Sequence, residues 1–263
     1  MVANLPAGNV YIVETDAARA EAASNRVRAG LERSFGTDSD AATRPQARLQ
    51  SSVGMPDIDG VSFVVEAVHE DFELKCQILA EASKMYPEAL IATNTSSLPV
   101  TALAEASNEP AHTIGMHFFN PVPRSQLVEI VRPDSGNPEA VDAAQEWVDR
   151  IGKQSIVVRD GPGFATTRLG VALGLEAIRM LELGVASASD IDRGMTLGYK
   201  HPMGPLELTD LIGLDVRLAI ADNLARTLGP RFSAPELLRS KVANGELGKK
   251  SGRGFYDWSS GRA

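Results

Sequence analysis

The sequence has 263 residues, 43% of them hydrophobic and 23% charged, with a net charge of −8 at pH 7. A chain of this length can bury one large core or two modest ones. The acidic balance argues against a broad nucleic-acid-binding face, and the single cysteine excludes an internal disulfide. No apolar run approaches the roughly 20 residues that span a bilayer, and the first residues lack a signal-peptide pattern, so we expect a cytoplasmic protein.

Short apolar runs alternate with helical stretches over the first part of the chain. NVYIVETD (9–16) predicts a strand, and a helix rich in Ala, Arg and Glu follows over residues 17–35. Further strands are predicted at 61–68, 89–97, 112–120, 126–133 and 154–160, with a helix between the first two of these. Such alternation predicts a parallel sheet with helices on both faces.

After GPGF (161–164) the strand patterns stop. Residues 164–184, 187–198 and 205–229 all carry apolar side chains at helical spacing. The sequence therefore predicts an α/β domain over residues 1–159 and an all-helical domain over residues 160–263.

The stretch HFFNPVPRSQLVE (117–129) holds the first candidate for chemistry. His117 follows the apolar run TIGM, and Glu129 lies within the next predicted strand, so neighbouring strands would bring the two side chains together. A carboxylate beside an imidazole fixes its tautomer and raises its basicity, which suits a general base near neutral pH. The alternative is a buried histidine satisfied by a nearby carbonyl, and spacing alone does not separate the two.

Other polar residues also follow predicted strands, at the sheet edge where open parallel sheets bind ligands. Glu70 follows one strand, and NTSSL (94–98), with Ser96, follows the next. NTSSL is equally explained as a turn held by its own side chains. Glu14 closes the first strand, where a dinucleotide-binding fold places a ribose-binding acid, although alone it is a solvated strand end.

GKKSGRGFYDW (248–258) clusters Lys249, Lys250 and Arg253 among glycines. This cluster is the best local phosphate site in an acidic protein, and the alternative is a plain basic loop. The sequence contains no CxxC, HExxH or GxSxG, so metal and serine-hydrolase chemistry have no support.

Six blocks stand in order along the chain: VVEAVHEDFELK, IATNTSSL, GMHFFNPVPRSQLVEIV, DGPGF, HPMGPLELTDLIGLD and GKKSGRGFYDW. On these blocks together, the chain resembles the NAD-dependent L-3-hydroxyacyl-CoA dehydrogenase family, of the 3-hydroxybutyryl-CoA type, over nearly its whole length. The resemblance implies a Rossmann-like dinucleotide-binding domain, then a helical domain for substrate binding and homodimer formation.

The resemblance implies a role for each matching residue. His117 would be the general base, Glu129 would orient it, and Ser96 would hydrogen-bond the substrate oxygen beside the nicotinamide. Asn120 would contact both cofactor and substrate, and Thr167 stands at a substrate-binding position. The implied NAD contacts are Glu14, Ala67, Glu70, Lys75, Asn94, Ser96, Asn120 and Lys250. Glu14 disfavours NADP, because a carboxylate would repel the additional phosphate.

The chain departs from the family pattern in two ways. The family begins with a strand and a G-x-G-x-x-G turn that holds the pyrophosphate, and this sequence has no such turn. We expect either that about 20 to 25 residues of that βα unit precede this sequence or that the protein has lost the phosphate cradle and binds NAD poorly. Thr167 replaces an asparagine in a GFxxNR-like pattern, which changes a substrate contact worth about 0.5–3 kcal/mol.

Those departures leave three functional hypotheses. The first is a 3-hydroxyacyl-CoA dehydrogenase. The second is a dehydrogenase for a carrier-protein-bound or free hydroxy acid, which the change at Thr167 would suit. The third is a non-catalytic homologue that binds acyl thioesters, which the absent glycine-rich turn would suit.

Overall fold

The structure is a computed structural model in which residues 8–35 and 45–259 are described. The chain divides into two units, Met1–Asp160 and Gly161–Ala263. Strands are confined to the first unit among the named elements, and the second is built from helices. The predicted fold class, a Rossmann-like domain followed by a helical one, is confirmed.

The first unit alternates strands and helices. Its elements are β1 (Val10–Glu14), α1 (Ala17–Phe35), β2 (Leu49–Val53), β3 (Phe63–Glu66), α2 (Phe72–Met85), β4 (Leu90–Thr93), α3 (Val100–Glu105), β5 (Thr113–Phe118), β6 (Leu127–Arg132), α4 (Pro138–Arg150) and β7 (Gln154–Arg159).

The strands form two sheets within this unit. β1 pairs with β2, and the larger sheet has the order β3-β4-β5-β6-β7. Every pair is parallel except β5–β6, which is antiparallel. The expectation of a wholly parallel sheet is therefore wrong at this one pair. Segment 119–126 is shorter than the dozen or so residues that a parallel crossover needs, so β6 returns beside β5 in the opposite direction.

β2 is the strand that sequence patterning missed. Its residues, LQSSV, are mostly polar, and only Leu49 is buried. Pairing with β1, in which Val10 lies opposite Leu49, supplies what its own composition does not. Tertiary pairing can override weak strand propensity in this way.

The core of the larger sheet has helices on both faces. Leu90 and Ala92 of β4 belong to the buried cluster that includes Ala144 and Val148 of α4. Ile91, between them, joins a second cluster with residues of α2 and α3. Since alternate strand residues point to opposite faces, β4 is covered on both sides, and all four of its residues are buried. Such central strands read as continuous apolar runs.

The second unit consists of α5 (Thr166–Glu182), α6 (Ala188–Arg193), α7 (Pro205–Ile212), α8 (Leu214–Leu228) and α9 (Glu236–Ala243). One apolar cluster joins them, with Leu175 and Ile178 of α5 beside Leu206 of α7 and Leu224 of α8. In the described part of the chain, no helix has both the length and the apolarity needed to cross a membrane.

Asp210 holds the C-terminal segment onto this helical unit. Its carboxylate accepts hydrogen bonds from the backbone of Phe255 and Tyr256 and from the indole of Trp258, at 2.9, 2.9 and 2.8 Å. A Cβ on Gly254 would stand 2.1 Å from Asp210 Oδ1, so only glycine permits this approach. Close packing against Asp210 therefore accounts for Gly254 of the block GKKSGRGFYDW.

Asp192 plays a similar part at the start of α7. Its two oxygens accept the backbone N–H groups of Leu206 and Glu207, each at 2.9 Å. The phenol of Tyr256 donates a third bond, at 2.7 Å. Burial, reinforced by this bond to a carboxylate, raises the pKa of the Tyr256 phenol. A carboxylate at a helix N-terminus satisfies donors that the helix itself leaves unpaired.

Candidate active site

His117 and Glu129 stand directly opposite each other on β5 and β6. Directly opposed residues of an antiparallel pair share one face of the sheet, close enough for their side chains to meet. Here His117 Nδ1 lies 3.0 Å from Glu129 Oε2. The glutamate side chain is fully enclosed and the histidine side chain is 10% exposed. The antiparallel return of β6 therefore creates the pair.

This pairing determines what the imidazole can do. A carboxylate at Nδ1 favours the tautomer whose proton is on Nδ1, which leaves the lone pair on Nε2. The same carboxylate stabilises the imidazolium that forms when Nε2 takes up a proton. The ring of Phe119 lies 4.4 Å from the imidazole, centroid to centroid, and limits its movement. The arrangement can accept and return one proton in a fixed direction.

Asn94 connects the end of β4 to the end of β5. Its Oδ1 accepts the backbone N–H of Phe118, the residue after His117, at 2.9 Å. The bond fixes the backbone at the end of β5, next to His117. The amide nitrogen of Asn94 carries two N–H donors that could meet a ligand.

The loop after β4 is organised around one oxygen of Glu70. Oε1 accepts the hydroxyl of Thr95 at 2.6 Å and the backbone N–H groups of Ser96 and Ser97 at 2.9 and 3.1 Å. Burial alone would raise the pKa of this carboxyl, but the bonds from Thr95 and Ser96 and the charge of Lys75 outweigh it, so the pKa lies below its ordinary value. The NTSSL turn is thus held by a carboxylate from a neighbouring loop.

The side chain of Lys75 is buried beside Glu66 and Glu70. Its side chain is fully enclosed, with Nζ 2.7 Å from Glu66 Oε1 and 3.6 Å from Glu70 Oε2. Glu66 also accepts the hydroxyl of Thr93 at 2.7 Å. In this structure the ammonium pairs two carboxylates, and the NAD contact implied for Lys75 stays a prediction.

Glu66 is a residue that sequence reasoning missed. The available signal was an acid closing the apolar strand FVVE, nine positions before a lysine within a helix. An enclosed carboxylate needs a cationic or hydrogen-bonding partner, and α2 is the element that carries Lys75 to it.

The remaining predicted site residues lie in separate places. Ala67 is exposed just after β3, and Asn120 is exposed in segment 119–126. Glu14 is the last residue of β1, so it belongs to the two-stranded sheet and not to the sheet that carries His117. Thr167 lies in the first turn of α5, in the helical unit.

The basic cluster near the C-terminus is divided among different partners. Lys250 Nζ lies 2.6 Å from Asp215 Oδ2, and this bond, with its charge, lowers the pKa of the Asp215 carboxyl despite partial burial. Lys249 stands over the ring of Trp258, and Arg253 lies 3.5 Å from a glutamate. Each cation thus already has its own partner.

The first unit presents groups that fit the nicotinamide end of NAD. The amide of Asn94 and the hydroxyl of Ser96 follow β4, and Glu70 Oε1 accepts the Ser96 hydroxyl at 3.2 Å. These are the donors and acceptors that a carboxamide and a ribose require. The sequence supplies no G-x-G-x-x-G turn for the pyrophosphate.

Comparison with known proteins agrees with this fold. Residues 2–161 match the NAD binding domain of 3-hydroxyacyl-CoA dehydrogenase, and residues 163–258 match its C-terminal domain. A 3-hydroxybutyryl-CoA dehydrogenase of Mycobacterium tuberculosis is 38% identical over 256 residues, which cover 95% of this chain and 90% of the relative.

Two further relatives support the same assignment. A probable 3-hydroxybutyryl-CoA dehydrogenase of Deinococcus radiodurans is 41% identical, covering 83% of this chain and 80% of the relative. The crystal structure of (S)-3-hydroxybutyryl-CoA dehydrogenase PaaH1 from Ralstonia eutropha superposes with a TM-score of 0.91 at 35% identity, over 98% of this chain and 92% of that one. The chain therefore belongs to the 3-hydroxyacyl-CoA dehydrogenase family of NAD-dependent oxidoreductases.

Proposed function

We propose that the protein interconverts a 3-hydroxyacyl thioester of CoA and its 3-oxoacyl form, with NAD as the redox partner and His117 as the general base. The observation that carries this proposal is the enclosed carboxylate of Glu129 bonded to His117 Nδ1 at 3.0 Å. A histidine held in one tautomer beside a ligand-binding sheet edge is suited to proton transfer.

In the oxidative direction, Nε2 of His117 takes the proton of the substrate's 3-hydroxyl. Glu129 stabilises the resulting imidazolium. The hydroxyl of Ser96, which in this structure donates to Glu70 Oε1 at 3.2 Å, turns to donate its hydrogen bond to the substrate oxygen. NAD, when bound, accepts the hydride that leaves C3. In the reductive direction the imidazolium returns its proton to the same oxygen.

The other proposed contacts follow the family pattern. Asn120 and Thr167 contact the substrate, with Thr167 offering one hydroxyl. Glu70 acts on the cofactor side both directly and by holding the loop of Ser96. The remaining proposed cofactor contacts are Glu14, Ala67, Lys75, Asn94, Ser96, Asn120 and Lys250.

A reductive assay tests the proposal directly. The protein is mixed with acetoacetyl-CoA and NADH, and the absorbance at 340 nm is followed. We expect turnover by the wild type and a loss of about 10²- to 10⁴-fold in kcat for His117→Gln, the range associated with a general acid–base group.

His112→Gln is the matched control, because His112 precedes the same strand at its opposite end. Equal rates for His117→Gln and the wild type would refute the role of the imidazole. A wild type without turnover would refute the dehydrogenase activity itself.

The second candidate function is thioester binding without turnover. The observation that favours it is Thr167, which stands at a substrate-binding position where the family pattern has an asparagine. Calorimetric titration with NADH separates the two: saturable binding supports the dehydrogenase, whereas binding of acetoacetyl-CoA with no heat from NADH supports the binding-only function.

Thr167 motivates a test of the acyl carrier. Acetoacetyl-CoA, acetoacetyl on acyl carrier protein, and free acetoacetate are compared as substrates at equal concentrations. We expect the CoA thioester to give the highest kcat/KM. A clear preference for either of the others would reassign the substrate.

We also propose a homodimer in the cytoplasm. Support for the dimer comes from large apolar side chains on α7 and α8 that are about 40% exposed, a patch that monomeric proteins seldom present. Light scattering after gel filtration should give twice the 28.0 kDa chain mass. Leu211→Lys, in the centre of this patch, should shift the mass towards the monomer. The exposed residues are Leu208, Leu211, Ile212 and Val216.

A further inference from the structure

Glu66, at the carboxyl end of β3, is a buried carboxylate for which the proposed reaction has no role. Its side chain is fully enclosed, and both of its oxygens accept hydrogen bonds. Oε1 accepts the ammonium of Lys75 and the backbone N–H of Val68, each at 2.7 Å. Oε2 accepts the hydroxyl of Thr93, also at 2.7 Å. One side chain thus joins β3, α2 and β4 at the point where the two strands end.

These bonds lie at the base of two loops, residues 67–71 after β3 and residues 94–99 after β4. Glu66 and Thr93 are paired residues of the two parallel strands. The backbone carbonyl of Glu66 also accepts the N–H of Asn94, at 2.8 Å. The first loop carries Glu70, and the second begins at Asn94 and carries Ser96. Glu66 therefore fixes the start of both loops that are proposed to contact the cofactor.

Lys75 extends the connection from the base of the loops to Glu70. Its Nζ lies 2.7 Å from Glu66 Oε1 and 3.6 Å from Glu70 Oε2, and it donates to the carbonyl of Val68 at 3.3 Å. Glu70 Oε1 in turn accepts the backbone N–H of Ser96 at 2.9 Å. Both carboxylates are attracted to the same ammonium. A displacement of Glu66 would therefore reach Glu70, and through it the second loop.

Stability alone does not account for a charged pair at this position. A buried ion pair is on average no more stabilising than well-packed apolar side chains of similar volume, because both charges lose their hydration. A network in which every partner is hydrogen-bonded does, however, specify one geometry. One geometry is useful at a strand end that carries ligand-binding loops, since loops that are ordered in advance lower the cost of binding.

We propose that Glu66 is a positioning residue for the cofactor, whose bonds to Lys75 and Thr93 hold the two loops in the arrangement that receives the nicotinamide end of NADH. Glu66 acts through these loops. This inference rests on the proposed function, because it assigns both loops to the cofactor. Weakening the bonds of Glu66 is expected to lower the affinity for NADH more than it slows the reaction at saturating NADH.

Thr93→Val tests the proposal with little change of shape. Valine is β-branched like threonine and suits a strand, but it lacks the hydroxyl that bonds to Glu66 Oε2. Reduction of acetoacetyl-CoA gives kcat and KM, and calorimetric titration gives the Kd of NADH without turnover. We expect KM and Kd for NADH to rise about 3- to 10-fold, the equivalent of one hydrogen bond, while kcat changes by less than about 2-fold.

Two further variants grade the effect. Thr93→Ser keeps a hydroxyl at the same position, so its KM and Kd for NADH should stay within about 2-fold of the wild type. Glu66→Gln keeps the shape of the side chain but removes the charge that holds Lys75, so KM and Kd for NADH should rise further than in Thr93→Val. If Glu66→Gln does not fold, the threonine variants decide the question by themselves.

Thr113→Val is the matched control. Thr113 is also a fully buried threonine of the larger sheet, but it lies at the start of β5, where its hydroxyl is hydrogen-bonded to Ser107 and to the carbonyl of Glu109. Its loss should lower the melting temperature and leave KM and Kd for NADH unchanged. Destabilisation by itself reduces the fraction of active protein, which lowers the apparent kcat and does not change KM or Kd.

Hydrogen exchange in the absence of NADH gives a readout that does not depend on catalysis. The amides of Val68, Asn94 and Ser96 report on both loops. In Thr93→Val all three should exchange faster than in the wild type, because the bonds at the base of the loops open more often. Faster exchange confined to one loop would contradict a connection between the two.

The outcomes distinguish this inference from the proposed function. Unchanged KM and Kd for NADH in Thr93→Val and Glu66→Gln, or an equal rise in Thr113→Val, overturn the positioning role and leave the dehydrogenase intact. A fall in kcat with unchanged KM and Kd for NADH would make Glu66 a purely structural residue. A wild type that neither binds nor oxidises NADH overturns the dehydrogenase and, with it, the cofactor role of Glu66.

Discussion

The two units both bury charged side chains, but they pair them differently. In the α/β unit, Glu129 faces His117 and Glu66 faces Lys75, so each buried carboxylate meets another titratable side chain. In the helical unit, Asp210 and Asp192 accept mainly backbone N–H groups.

The difference indicates what kind of buried charge marks a site. A carboxylate bonded to backbone donors fixes the path of the chain, since those donors cannot move without unfolding. A carboxylate bonded to a side chain fixes the orientation and protonation of that side chain, which chemistry can then use. By this criterion we propose that the strand ends of the α/β unit hold the reacting groups. Arg217 is a buried charge of the helical unit that follows neither pattern.

The largest effect is expected from separating the fully enclosed ion pair. Lys75→Met leaves the charge of Glu66 without its partner and should lower the free energy of unfolding by about 3–5 kcal/mol. The double variant Glu66→Gln/Lys75→Met should recover a large part of this loss, because no charge is then left unpaired. Urea denaturation measures both. A double variant as unstable as the single one would show that packing, not charge, governs this position.

The second effect concerns the backbone-bonded acid. Asp210→Ala leaves three donors of the C-terminal segment unsatisfied and should cost about 3 kcal/mol or more in unfolding free energy. No second substitution can compensate, since two of the donors are main-chain N–H groups. Asp222→Asn breaks an exposed pair with Arg239 and serves as the control, with an expected change below about 1 kcal/mol. Similar losses of unfolding free energy in Asp210→Ala and Asp222→Asn would contradict the expected difference between a buried acid bonded to the backbone and an exposed ion pair.

The third effect separates catalysis from stability. Glu129→Gln can still accept the Nδ1 proton but carries no charge, so the imidazolium is less stabilised and kcat should fall about 100-fold, or roughly 2.7 kcal/mol. KM for acetoacetyl-CoA should change little. Glu105→Gln, an exposed change at the end of α3, is the control. An increase in KM with an unchanged kcat would instead assign Glu129 a structural role.

The smallest effect is a pH dependence at Glu70. The folded-state pKa is below the ordinary value of 4.5, so its contribution to stability is fully present above pH 4.5 and is lost as pH falls through the folded-state pKa. The stability difference between wild type and Glu70→Gln should therefore be constant from neutral pH to about 5 and shrink on further acidification. Denaturation midpoints at several pH values test this. A difference that grows towards acid would reverse the sign of the pKa shift.

The sequence was informative where a local pattern carries its own cause. The strand containing His117 and the helix containing Lys75 follow from apolar periodicity. The strand spans Thr113–Phe118 within the predicted 112–120, and the helix, Phe72–Met85, lies between the two strands that were predicted on either side of it. The sequence pattern did not predict β2, because this strand forms through pairing with β1 and not through the strand propensity of its own residues. Glu66 was not predicted, because an acid at the end of a strand is expected to be solvated, and its burial depends on a helix that is distant in sequence.

By itself the sequence determined the named strands of the first unit other than β2, the change to an all-helical second half, and the residue types available for proton transfer, because each depends on neighbours within a few positions. Only the tertiary structure decided that β6 runs antiparallel to β5 and so sets Glu129 against His117. It also decided that Lys75 is enclosed and that Nε and Nη2 of the buried Arg217 have no hydrogen-bond partner among the described residues. These facts depend on which distant elements pack together, and burial changes the energy of a charge far more than any local pattern does.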